Sequence, residues 1–212
     1  MSLQQRNEEM KAFFDEHAGE YDRVHSTLMQ NKERMIPFLP ENTQILLDLG
    51  AGTGLELLSL YERFPAARTT VVDISPKQLN ILRTRPFADK LTFLCGDFFA
   101  LEFGSDYDAV ISSAALHHFE EAEKSLLYRK IFACLRPGGV FINSDKMLPS
   151  YEAQLANFQK FREQRHLYRH FDTPLALCRE EALLKEAGFL PGHKEPLPQG
   201  EGYWLLTATK PQ

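Results

Sequence analysis

A run of glycines behind a carboxylate is the first chemical signal in this sequence: Asp48-Leu49-Gly50-Ala51-Gly52-Thr53-Gly54. Glycine has no Cβ, so alternate glycines let the backbone turn tightly and let a nucleoside or an amino-acid tail approach within contact distance. Leu55 stands where a dinucleotide fingerprint, GxGxxG, needs its last glycine, which weighs against NAD. Asp48 beside the turn would repel a pyrophosphate and suits a cationic ligand such as an aminated sulfonium compound. A second reading, that Asp48 orients the loop without touching ligand, stays open.

Three further groups follow in order. Asp73 lies about 20 residues past the glycines, where a carboxylate accepts two hydrogen bonds from ribose hydroxyls; a helix-capping acid is its plainer reading. Cys95-Gly96-Asp97-Phe98 offers an acid for an exocyclic adenine amine and a ring to lie against the base. Ser112-Ser113-Ala114-Ala115-Leu116-His117-His118-Phe119 ends the series. Imidazole titrates in the range useful for taking a proton from a hydroxyl or a carbon acid, which makes His117 and His118 the candidate catalytic residues. Against this stand the bland readings, in which the two histidines satisfy backbone groups and Phe13, Phe14 and Phe99 are core.

These groups must be positioned by an alternation of apolar runs and helical segments beginning at Ile45, the pattern of a parallel sheet covered on both faces. Strands are expected at residues 44–48, 69–73, 91–95, 107–112, 140–144 and 203–209. Helices are expected at about 54–64, after Ser75-Pro76 (an N-cap and a first helical position), at 121–135 and at 179–187. Arg136-Pro137-Gly138-Gly139 is expected to end the third of these, and a long polar helical stretch to cover 151–171. Residues 6–36 have helical spacing in two stretches that end before Pro37. Residues 189–202 hold three prolines and three glycines, so a sixth strand there must be short or at an edge. Open sheets of this type bind ligands at the carboxyl ends of their strands, where the four chemical groups fall.

With 212 residues, 43% hydrophobic and 25% charged, one α/β domain over 1–212 is expected. A net charge of −5 argues against sequence-independent binding of nucleic acid. Cys95, Cys134 and Cys178 are far apart and form no CxxC pair, so neither a metal site nor a disulfide framework is signalled. The N-terminus has no apolar h-region and no stretch reaches the roughly 18 apolar residues of a membrane span, so a cytoplasmic protein is expected.

From about Phe13 to Thr209 the ordered motifs resemble those of class I, Rossmann-like S-adenosylmethionine-dependent methyltransferases. The residues that carry the resemblance are Asp48 to Gly54, Val71-Val72-Asp73-Ile74-Ser75, Gly96-Asp97, Tyr107-Asp108-Ala109-Val110, Leu116-His117-His118-Phe119 and Leu135-Arg136-Pro137-Gly138-Gly139. The resemblance implies a doubly wound, mostly parallel seven-stranded sheet with an antiparallel last strand, 203–209, inserted near the edge and helices on both faces. It implies that the Gly50–Gly54 loop contacts the methionine part of the donor, that Asp73 binds ribose and that Asp97 with Phe98 holds adenine. The implied donor set is Asp48, Gly50, Ala51, Gly52, Thr53, Gly54, Asp73, Ile74, Gly96, Asp97, Phe98, Ser113 and Tyr21, with S-adenosylhomocysteine as product. It further implies an N-terminal helical lid, 1–40, bearing Phe14 and the Tyr21-Asp22 pair. The Pro-rich sixth strand departs from the pattern.

The expected reaction is in-line methyl transfer to a small-molecule acceptor. Alternatives are an RNA or protein methyltransferase and a non-catalytic S-adenosylmethionine-binding module, with an NAD-dependent enzyme as a rival at the level of fold. Ser112-Ser113-Ala114-Ala115 lacks the (N/D)PP(Y/F) signature common in amide-methylating members of the class. A helical insert at 145–178 is expected near the acceptor pocket. Its basic residues Lys160, Arg162, Arg165 and Arg169 are either a solvated face or a binding site for a substrate carboxylate or phosphate.

Overall fold

Aliphatic and β-branched runs separated by helix-length segments satisfy their backbone groups by pairing side by side, and five of the strands do so in parallel. In the computed structural model, which describes residues 2–26, 29–168 and 170–212, these are β1 (Ile45–Leu49), β2 (Arg68–Asp73), β3 (Leu91–Cys95), β4 (Tyr107–Ser113) and β5 (Leu135–Lys146). Together with β6 (Leu190–Pro196) and β7 (Tyr203–Thr209) they form one seven-stranded sheet of order β3-β2-β1-β4-β5-β7-β6, with β7 antiparallel to both neighbours. The chain steps outward from β1 to β3 and then returns to place β4 on the other side of β1. This reversal opens a crevice at the carboxyl ends of β1 and β4.

Strand alternation divides the core. Leu47, Leu49, Val72, Val110 and Phe141 pack toward α6 (Glu121–Cys134) and α8 (Leu177–Glu186). Leu46, Val71, Ala109, Ile111 and Ile142 pack toward α4 (Leu55–Arg63) and α5 (Pro76–Leu82). Ser75 caps α5 by accepting from Gln78 N, with Pro76 at the first helical position.

Elsewhere the boundaries depart from the sequence reading. In place of two helices over 6–36 the chain forms α1 (Leu3–His17), a 3₁₀ turn at Ala18–Glu20, α2 (Tyr21–His25) and α3 (Met29–Glu33). α1 starts early because Ser2 and Gln5 make a capping box, and it stops before Gly19, a poor helix residue. Arg136–Gly139 is not a loop ahead of the fifth strand. β5 begins at Leu135, which pairs with Tyr107, and the glycines are absorbed as an irregularity in that ladder. Gly138 N donates to Lys210 O (3.0 Å) and Lys210 N to Gly139 O (2.9 Å), so the C-terminal segment satisfies this stretch.

β5 also runs on to Lys146, which pairs with Tyr203. The polar helix α7 (Tyr151–Glu163) ends well before residue 171, because Phe161 packs on both Tyr168 and Phe171 with ring centroids 4.9 Å apart in each pair. β6 lies at the sheet edge, where its prolines are tolerated, with a register shift between Pro191 and Lys194. Arg169 lies outside the described residues. Among the described residues no helix is long and apolar enough to cross a membrane.

Candidate functional site

The glycine loop leaves β1 with Gly50 at φ +77° and Gly52 at φ +53°, the left-handed region that side-chain-bearing residues avoid. A Cβ on Gly50 would stand 2.4 Å from the Cβ of Ala115, and one on Gly52 would stand 2.6 Å from Gln78 Oε1. Gly52 N donates to Asp73 Oδ2 and Ser75 N to Asp73 Oδ1, both at 2.8 Å, so the end of β2 holds the loop in place. Burial pushes the Asp73 carboxyl up to about 6, although both of these backbone bonds favour its charged form.

The loop forms one wall of a cavity of about 710 Å³. Gly50, Gly52, Asp73, Ile74, Gly96, Asp97 and Phe98 line it from the strand ends, and Tyr21 closes one side. α1 roofs it with Leu3, Arg6, Asn7, Met10 and Phe14, residues three or four apart on one helix face. Arg6 is neutralised by Glu123 and by Glu120, the latter at 2.6 Å. Asp97 Oδ1 accepts from Phe99 N at 3.0 Å, which orients the carboxylate.

The other members of the expected donor set are not on this wall. Asp48 is fully buried on the sheet face covered by α4; burial and the Glu56 carboxyl beside it hold its pKa well above the carboxylate range, and Glu56 is paired with Lys32. Ala51 packs in that same core, Thr53 Oγ1 donates to Asp22 Oδ1 at 2.5 Å, Gly54 forms the N-cap of α4, and Ser113 is buried within β4. Gln78, Ala115 and Phe119, which the sequence reading did not name as site residues, contribute to the cavity instead. Gln78 had a legible signal, since it lies one turn into the helix capped by Ser75.

A second chamber of about 820 Å³ adjoins the first and shares Phe14, Tyr21, Ala114 and His118 with it. His117 and His118 reach it from a 3₁₀ turn, Leu116–His118, just beyond β4. His117 Nδ1 lies 2.6 Å from Asp145 Oδ1, while Asp145 Oδ2 accepts from the backbone N–H of Leu116 (2.8 Å) and of His117 (3.0 Å). Burial pushes the Asp145 carboxyl up, but facing His117, Lys124 and the backbone N–H of Lys146 outweigh it and hold the group below its ordinary range. His118 Nδ1 lies 2.5 Å from Phe171 O, and burial, with His117 and His170 nearby, depresses this imidazole far below its usual pKa. Asp145, Lys146, His170, His25 and Tyr203 complete the surroundings and were absent from the candidate set, because each comes from a segment without a motif.

Arg162 and Arg165 line neither cavity. The Arg162 guanidinium lies over the Phe158 ring, 5.9 Å from its centroid, and Arg165 bonds Glu9 and Tyr168 O. Of the 145–178 segment it is Lys146 and His170 that reach the chamber. Among the described residues no group of histidine, cysteine and acidic side chains is placed to hold a metal ion.

Residues 46–139 match the model of a family described as a methyltransferase domain. A malonyl-[acyl-carrier protein] O-methyltransferase of Bacillus cereus is 29% identical over 167 residues, 78% of this chain but 60% of that protein, so this chain spans less than two thirds of its relative's length. Among solved structures, magnesium protoporphyrin IX methyltransferase of Synechocystis with S-adenosylhomocysteine bound has a TM-score of 0.76 at 16% identity, covering 97% of this chain and 99% of the other. Human N-acetylserotonin methyltransferase in complex with S-adenosylmethionine has a TM-score of 0.70 at 20% identity, covering 95% and 57%. The strand order with its inserted antiparallel β7 is the fold these solved methyltransferases share, and residues 46–139 of this chain, which hold the glycine turn after β1, are similar to a methyltransferase domain.

Proposed function

We propose that this protein transfers a methyl group from S-adenosylmethionine to a small-molecule acceptor. One observation carries the proposal: a cavity lined by Gly50, Gly52, Asp73 and Asp97 shares a wall with a second chamber of about 820 Å³, so donor and acceptor have separate but adjoining sites. The chemistry of the first cavity fits the donor. Its glycine backbone leaves room for an amino-acid tail, its two carboxylates suit ribose hydroxyls and an amine on a cationic molecule, and Ile74, Phe98 and Met10 offer apolar faces to a base. The similarity to an O-methyltransferase of Bacillus cereus supports the same reading.

When bound, the donor supplies a methyl group already activated on a sulfonium sulfur. The work left to the protein is alignment and exclusion of water. Gly50 and Gly52 hold the tail, Asp73 accepts from the ribose, and Asp97 and Phe98 hold the adenine. α1 covers the cavity with Met10 and Phe14 and keeps water out. Tyr21, Ala114 and His118, common to both cavities, stand where the acceptor atom meets the methyl group.

Calorimetry with S-adenosylhomocysteine and, separately, NAD tests the donor site. Binding of the first and not the second is expected; the opposite result overturns the reading. Incubation with labelled donor and a metabolite panel is expected to yield methylated product and S-adenosylhomocysteine. Binding without turnover would identify a non-catalytic donor-binding protein.

A further inference from the structure

Hydrogen bonds around the second chamber fix the tautomers of three of its histidines. His25 Nδ1 lies 3.0 Å from Tyr21 O, His118 Nδ1 2.5 Å from Phe171 O and His117 Nδ1 2.6 Å from Asp145 Oδ1. Carbonyl and carboxylate oxygens only accept, so each Nδ1 carries the hydrogen and, in the neutral ring, each Nε2 carries a lone pair. Burial holds His25 and His118 below the ordinary imidazole range, in agreement with neutral rings. All three rings line the chamber with Nδ1 committed elsewhere, so what they offer a ligand is the acceptor nitrogen. The chamber is therefore built to receive a hydrogen-bond donor.

Charge narrows the choice. Lys146 is the cation on the chamber wall among the described residues, and its Nζ is paired with Asp172 Oδ2 at 2.9 Å. A carboxylate acceptor would meet imidazole lone pairs with no uncommitted positive charge opposite it. An aromatic amine, neutral near pH 7, attacks with its own free electron pair and has no need of a base before attack. A hydroxyl differs, because its oxygen becomes a good nucleophile only as its proton leaves. Asp145, buried and held ionised, stands behind His117 and stabilises the imidazolium that proton transfer creates, while its bonds from Leu116 N and His117 N fix the ring's direction. The His117 and His118 rings lie 3.9 Å apart, so this base is one ring away from the wall shared with the donor cavity. Phe13, Phe14, Tyr21 and Tyr203 supply flat surfaces for an aromatic ring.

Resting on the methyl-transfer reading above, we infer that the acceptor is an aromatic hydroxyl whose proton passes to His117 Nε2, with Asp145 as the positioning residue behind the base. As the O–H proton moves to Nε2, an oxygen electron pair forms the new O–CH₃ bond. The S–CH₃ bond breaks with its electron pair returning to sulfur, giving the thioether product, and the imidazolium later releases its proton to solvent. The titratable groups that line the chamber with His117 are His17, Glu20, Tyr21, His25, His118, Lys146, His170 and Tyr203. Burial pushes His170 down to about 4, holds His25 below its ordinary range and raises the Tyr21 and Tyr203 hydroxyls above theirs, while Lys146 Nζ lies 2.9 Å from Asp172 Oδ2.

The test uses the full chain with labelled S-adenosylmethionine and a panel of hydroxylated aromatics headed by catechol, with benzoic acid and aniline counterparts. Methylation of a hydroxylated member at least about tenfold faster than its acid and amine counterparts is expected. Preference for the acid or the amine, or no product from any hydroxylated member while S-adenosylhomocysteine still binds, overturns the inference. Loss of S-adenosylhomocysteine binding itself would instead overturn the donor reading. His117→Gln and Asp145→Asn are each expected to lower kcat by about 100-fold at pH 7, with donor affinity unchanged. At least about tenfold of that loss should return near pH 10, where a phenol ionises unaided. Asp145→Asn also loosens the Leu116–His118 turn, so if it fails to fold, His117→Gln carries the result. A loss in that variant that does not recover with pH assigns both residues a purely structural role.

Discussion

The two cavities share a wall but are assembled and charged in opposite ways. The first is made where successive strand ends meet one helix, its key contact joins Gly52 to Asp73 across 21 residues, and its polar wall is anionic. In the second, His117 finds Asp145 across 28 residues and His118 finds Phe171 across 53, and its wall is mostly imidazole and aromatic surface. On the proposed reading, the donor cavity rests on turns and strand ends that carry sequence motifs, whereas the acceptor chamber rests on contacts between segments that carry none.

Substitutions that act on one cavity alone sharpen this contrast, and any that move both equally break it. Gly50→Val should have the largest effect. A side chain there meets Ala115 in a left-handed backbone, so a stability loss of about 3 kcal/mol by urea denaturation is expected, with donor binding abolished. Asp73→Ala removes two charge-assisted bonds and should weaken S-adenosylhomocysteine by about 30-fold in calorimetry, leaving acceptor KM within about twofold at saturating donor.

The same carboxylate predicts a pH effect. Burial pushes Asp73 up to about 6, and on the proposed donor reading it is the ionised form that would accept from the ribose. Donor affinity should therefore be full above pH 7 and about tenfold lower at pH 5, a decline that Asp73→Asn should flatten. Arg162→Gln combined with Arg165→Gln should do least. Since neither side chain lines a cavity, acceptor KM should change by less than about twofold in steady-state assays.

Legibility in the sequence followed the range of the interactions involved. Strands at 91–95 and 203–209 are observed with the predicted ends, and Ser75-Pro76 starts a helix as read, because alternation, capping and turn chemistry act over a few residues. β5 was misjudged at both ends because its extent depends on Tyr107, Tyr203 and Lys210, none of them a neighbour in sequence. Asp48 shows the same limit. Its place in the motif could not say whether it faces ligand, and strand alternation turns it away from the cavity toward Glu56.

Local chemistry thus dictated the glycine turn, the strands that flank it and the carboxylates at their ends, since backbone freedom and residue spacing need no distant partner. Folding alone settled which acid stands behind which imidazole, and which ring nitrogen is left to meet a ligand. Those outcomes depend on a tautomer chosen by a hydrogen bond, and a hydrogen bond between His117 and Asp145 exists only after β4 and β5 have paired.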